Sequence, residues 1–150
     1  MAEFGRIDPR CKAVVLFDPG SLLEGATNLI QFGLQKPFLS MNSTMGRPDD
    51  PPGYTFGPWL FATQTLFAKA TKDAFWFQIQ NSTHQSFADR GSLINDPTQT
   101  GDPTPASRAQ SQTIRACTVS FFDKYLKGED DHLLDNPAAV YPNIINFQSK

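Results

Sequence analysis

Two side chains stand where acid–base chemistry collects in an α/β sheet. Asp18 directly follows the apolar run Lys12 to Phe17 (KAVVLF), and His84 lies four residues past a second apolar run, Ala74 to Gln80 (AFWFQIQ). Ligands and reacting groups gather outside the carboxyl ends of such strands. A carboxylate bonded to an imidazole fixes which ring nitrogen carries the proton. It also stabilises the imidazolium formed when the ring takes a proton from a nucleophile. Each residue also has a plain reading. Asp18-Pro19-Gly20 is a common turn, and a histidine in a loop is often only solvated. Their pairing, with one strand and 66 residues between them, is what gives them a joint meaning.

The elements that must hold them follow from the apolar patterning. Lys12 to Phe17 is continuous and bounded by turn residues, which predicts a strand buried on both faces. Lys36 to Asn42 (KPFLSMN) predicts a second strand, with Pro37 at a tolerated start, and Ala74 to Gln80 a third. Pro58 to Ala70 predicts a helix with proline in its first turn; Trp59, Leu60, Thr63, Leu66 and Phe67 form its apolar face. The strongest helical pattern runs from Pro105 to Lys127. There Ile114, Cys117, Phe121, Phe122, Tyr125 and Leu126 recur at helical spacing, with Thr104 as cap and Gly128 as stop. Crossover-length segments between strands indicate a mainly parallel α/β sheet. Three strands and two helices are few for a sheet that needs both faces covered, so the chain is expected to be the second half of a larger fold. The expected divisions are an irregular or added leader over 1–9, the fold over 10–128 and an irregular tail over 129–150, with Tyr141 to Phe147 a short edge strand or surface segment.

Composition removes several function classes. The 150 residues are 39% apolar, ordinary for a globular domain. Thirteen basic and fifteen acidic residues give a net charge of −2, without the basic cluster of a nucleic-acid binder. No apolar run reaches the length of a membrane span. Residues 1–9 lack a secretion signal's apolar core, which leaves the compartment open, secreted and periplasmic included. Cys11 and Cys117 are too few for a zinc site and read as buried thiols or one bridge. His132, beside Glu129-Asp130-Asp131, reads as solvated surface rather than a metal ligand, and Asp89 as a cap near His84. Asn42-Ser43-Thr44 and Asn81-Ser82-Thr83 are glycan acceptor patterns, the second discounted because a sugar there would crowd His84. The aromatic residues Trp59, Phe61, Phe67, Phe75, Trp76 and Phe77 read mostly as core.

In α/β-hydrolases the triad follows the chain order nucleophile, acid, base, which puts Asp18 and His84 in the acid and base places. The run Thr83-His84-Gln85-Ser86-Phe87-Ala88-Asp89 resembles the segment around the catalytic histidine of platelet-activating-factor acetylhydrolases and their bacterial and fungal relatives. Lys12 to Pro19 is similar to the strand ending in that family's catalytic aspartate, and Lys36 to Ser43 to the strand between them; the likeness spans Arg10 to Leu126. It implies the C-terminal portion of an α/β-hydrolase fold and a serine esterase or lipase acting on a small ester or lipid, without cofactor or metal. Asp18 would be its acid and His84 its base. No serine here lies in the Gly-x-Ser-x-Gly elbow that carries the family's nucleophile. Cys11 cannot replace it, because seven strand residues put it roughly 23 Å from Asp18. The loops Arg47 to Gly57 and Asp89 to Pro103 are expected to flank the site. Two rival readings stand beside this one. The first is a non-catalytic fragment that self-associates through an unpaired strand edge at Lys12 to Phe17. The second is a polyester or acetylxylan esterase on the same fold.

Overall fold

The computed structural model describes residues 8–19, 33–44, 57–88 and 105–150, without the side chains of 57–61. Asp89, the two flanking loops, the Thr104 cap and the side chains of Trp59, Leu60 and Phe61 lie outside the described residues.

Four strands form one sheet in the order β1 (Val14–Phe17), β2 (Phe38–Ser43), β3 (Ala74–Ile79), β4 (Ile144–Ser149). The first three are parallel. Val14 to Phe17 match Phe38 to Met41, and Phe38 to Ser43 match Ala74 to Ile79, so the carboxyl ends of all three open on one edge. Helix α1 (Gly57–Ala68) lies between β2 and β3; helix α2 (Pro105–Phe122) follows the third strand.

Strand alternation divides the core between the two sheet faces. Leu39, Met41, Phe75, Phe77 and Ile79 pack with Ile114, Cys117 and Phe121 of α2. Phe38 and Ala74 point the other way, against Leu34, Ala62, Leu66 and Ala70 on the α1 side. Phe121 is fully buried and meets Phe75 edge-on, with ring centroids 6.3 Å apart. Farther along this second face the sheet is polar. Trp76 Nε1 and Ser40 Oγ both donate to Asn42 Oδ1, at 2.9 and 3.3 Å, so the buried amide oxygen is satisfied.

Three expectations change. The first strand is half-buried rather than covered on both faces, and Phe17 is 41% exposed, because β1 is an edge strand paired with β2 alone among the described strands. The long α2 does not run regularly to Lys127; Asp123–Lys127 widen into a π turn that Gly128 closes at φ 77°, its N–H donating to the Asp123 carbonyl. The tail is ordered over more of its length than expected, and of the two readings of Tyr141 to Phe147 the strand is the one observed, displaced to Ile144–Ser149. The tail forms a 3₁₀ turn (Leu133–Asp135), a short helix α3 (Pro137–Val140) and β4, which pairs antiparallel with β3. Asn146 takes φ 55° where the register with β3 shifts. Leu134 and Ile144 carry the tail into the core.

Candidate active site

β1 delivers Asp18 to the carboxyl edge of the sheet. Its N–H donates to the Met41 carbonyl at 2.8 Å, extending the β1–β2 pairing by one residue. Its φ is then 42°, a left-handed conformation that costs a non-glycine residue about 1–3 kcal/mol and persists only where surroundings enforce it. Here they do. The turn swings the carboxylate over the end of β2, where Oδ1 accepts the Ser43 N–H at 3.0 Å and Oδ2 accepts the Ser43 hydroxyl at 2.9 Å.

The third bond to this carboxylate is the one that matters for chemistry. His84 Nδ1 lies 3.0 Å from Asp18 Oδ2. The acid's side chain is 4% exposed and the imidazole 45%. An ionised carboxylate only accepts, so Nδ1 carries the hydrogen, and in the neutral ring Nε2 then keeps its lone pair. A sunk acid behind an accessible imidazole is the arrangement in which a ring nitrogen can take a proton from a group approaching the sheet edge.

The backbone beyond β3 explains how His84 reaches that place. Asn81 turns the chain at φ 57°, and Ser82 Oγ donates back to the Ile79 carbonyl at 2.7 Å. Thr44, just past β2, donates its N–H to the Ser82 carbonyl at 3.2 Å, which ties the turn to the neighbouring strand. From the other side, Gln110 Nε2 of α2 donates to the Gln80 and Asn81 carbonyls at 3.3 and 3.0 Å. His84 then opens a 3₁₀ turn (His84–Phe87), in which Ser86 Oγ accepts the Thr83 N–H at 3.1 Å. Phe87 of that turn packs beside Phe17, the residue before Asp18, with ring centroids 6.0 Å apart. The acid and base are thus held at both the hydrogen bond and the aromatic contact next to it.

The structure therefore brings together the two residues singled out from the sequence. Other candidates stay apart from them. His132 is exposed on the surface, its Nδ1 3.1 Å from Asp135 Oδ2. Among the described residues no three His, Cys, Asp or Glu side chains converge to hold a metal ion. Cys11 and Cys117 are free thiols; burial, helped by the Asp131 charge, pushes the Cys117 thiol up to about 12. No helix among the described residues is long and apolar enough to cross a membrane. Sequence reasoning missed Ser43 and Gln110. Ser43 was legible only as the middle of a glycan pattern, although its place at the carboxyl end of the strand beside Asp18 was the available signal.

No family model and no curated protein matches the chain. Among solved structures it is similar to a ferulic acid esterase from Streptomyces cinnamoneus, with a TM-score of 0.55 and 21% identity, covering 79% of this chain and 35% of that one. The chain thus spans about a third of that esterase's length. The likeness is one of fold. A mostly parallel sheet with helices packed on it, the long α2 among them, is an α/β fold, and it is this fold that the chain shares with part of that esterase.

Proposed function

We propose that this chain supplies the acid and the base of a Ser-Asp-His triad in a carboxylic ester hydrolase, with the nucleophilic serine contributed from outside these 150 residues. The observation that carries the reading is the 3.0 Å contact between His84 Nδ1 and Asp18 Oδ2 at the carboxyl edge of a parallel sheet. In this reading His84 Nε2 takes the serine hydroxyl's proton as the oxygen attacks the ester carbonyl. The imidazolium then gives that proton to the leaving alcohol, and Asp18 holds the ring's tautomer and offsets its charge throughout. Water repeats the sequence on the acyl-enzyme. The Thr83 to Asp89 segment (THQSFAD) supports a relative of the platelet-activating-factor acetylhydrolases and a small ester or lipid substrate. The fold likeness to a ferulic acid esterase supports an ester substrate more broadly.

The test is p-nitrophenyl acetate hydrolysis by the full-length gene product and its His84→Ala variant. Loss of at least a thousandfold in turnover is expected, since removing one triad member leaves only the residual catalysis of binding and the oxyanion hole. Near-normal turnover in His84→Ala overturns the assignment.

The half-buried edge strand β1, with Phe17 41% exposed, favours a second reading in which the chain pairs with another copy of itself. Size-exclusion chromatography separates the two: a monomer across the concentration range removes self-association.

A further inference from the structure

We propose that Ser43 is the positioning residue of the Asp18–His84 pair, its hydroxyl fixing the plane of the carboxylate and sharing the oxygen that faces the imidazole. The inference rests for its kinetic consequence on the triad reading above, and for its structural content on geometry alone.

A buried carboxylate with one fixed neighbour can still tilt about its Cβ–Cγ bond and change the angle it presents to the imidazole. Ser43 restrains that tilt by bonding both oxygens of Asp18. The Ser43 N–H occupies Oδ1 at 3.0 Å, a bond that survives replacement of the side chain. The Ser43 Oγ–H occupies Oδ2 at 2.9 Å, the same oxygen that meets His84 Nδ1 at 3.0 Å. The hydroxyl and the imidazole therefore share one oxygen. Ser43 is itself 1% exposed, at the end of β2, and its carbonyl accepts Gln78 Nε2 at 3.3 Å, so water cannot readily substitute for it. A charge-assisted hydrogen bond to a carboxylate is about twice as strong as a neutral one. Taking away the hydroxyl leaves Oδ2 with the imidazole alone, so the plane of the carboxylate is held only by the Ser43 N–H on Oδ1 and by His84 itself, and its tilt loosens.

The readout is the hydrogen-bonded Nδ1 proton of His84, observed by NMR in the 150-residue chain. In Ser43→Ala this resonance is expected to shift and broaden, and in Ser43→Thr, which keeps the hydroxyl and adds a methyl group, to stay near its original position. A role in packing alone gives the reverse order, with threonine the more disturbed. An unchanged resonance in Ser43→Ala, with Asp18→Ala abolishing it, overturns the proposal. In the unsubstituted chain, a slowly exchanging Ser43 hydroxyl proton in Overhauser contact with the His84 ring proton is expected. Its absence equally overturns the proposal, whether or not the variants fold. In the full-length gene product, Ser43→Ala is expected to lower kcat about tenfold with KM unchanged, a loss of the size expected for one hydrogen bond to a charged group. If the full-length protein shows no His84-dependent turnover, the hydrolase reading fails while the NMR outcome still decides the role of Ser43.

Discussion

Gln110 of α2 clasps the backbone of Asn81, its Nε2 donating to that carbonyl at 3.0 Å while also reaching the Gln80 carbonyl at 3.3 Å. One buried amide on the long helix thereby fixes the turn that sends His84 toward Asp18.

Gln110→Met keeps the length of this side chain and removes its donors. Gln80 and Asn81 are exposed residues whose carbonyls water can take up, so a loss of about 1 kcal/mol is expected in urea unfolding. Amide exchange over 81–87 should accelerate beyond what the global loss explains. Uniform acceleration across the chain would show that Gln110 supports the core and not the turn.

Asp18→Asn tests the tautomer. The amide still accepts the Ser43 N–H through its oxygen, but the atom facing His84 is then a donor. The imidazole must accept at Nδ1 and carry its hydrogen on Nε2, where a general base needs a lone pair. Nitrogen-15 NMR of the chain is expected to show the tautomer reversed. Ester turnover of the full-length gene product should fall about ten-thousandfold.

Cys117 is fully buried on the inner face of α2 with its thiol pushed up to about 12, whereas Cys11 lies half-buried ahead of β1. At pH 8 a thiol held that high is ionised in roughly one molecule in ten thousand, and the thiolate is the reactive form. Ellman's reagent is expected to find one reactive thiol in the native chain and two in denaturant. Two in the native chain would contradict the packing of α2.

Tyr125 gives a pH dependence of stability. Burial first, and then its 2.6 Å hydrogen bond to Asp73, raise the phenol above the ordinary tyrosine range. The folded chain thus keeps a proton that the unfolded chain releases near pH 10. Its contribution is full below about pH 10 and declines as pH rises above it. The urea midpoint of the unsubstituted chain should fall between pH 9.5 and 11, and Tyr125→Phe should flatten that fall.

The three parallel strands were readable because Val14 to Phe17 and Ala74 to Phe77 are apolar runs bounded by turn residues, and because crossover-length segments separate the strands. The same pattern misled at β1. Val14 to Phe17 are as apolar as an interior strand, yet nothing local reveals whether a neighbour lies on the outer side. In the tail the strand was legible as one of two readings of Tyr141 to Phe147, but its extent, Ile144–Ser149, was not, because adjacent Ile144 and Ile145 and the polar Asn146 and Gln148 break strict alternation around a register shift. That Asp18 and His84 meet was legible from their places at strand ends. Ser43 and Gln110 were not, because what they do is decided by partners 25 and 29 residues away in the chain.

The buried Asn42 has a bearing on how this protein can be made. Its amide oxygen sits between Trp76 and Ser40, inside the sheet, although Asn42-Ser43-Thr44 has the form that oligosaccharyltransferase modifies. In a eukaryotic secretory host, a sugar added to the nascent chain at this position would leave a bulky hydrophilic tree where β2 must enter its neighbours. Yeast or insect secretion would then divide the product into an unmodified, foldable fraction and a modified one that cannot close its sheet. Bacterial expression, or replacing Thr44 with valine, avoids that division.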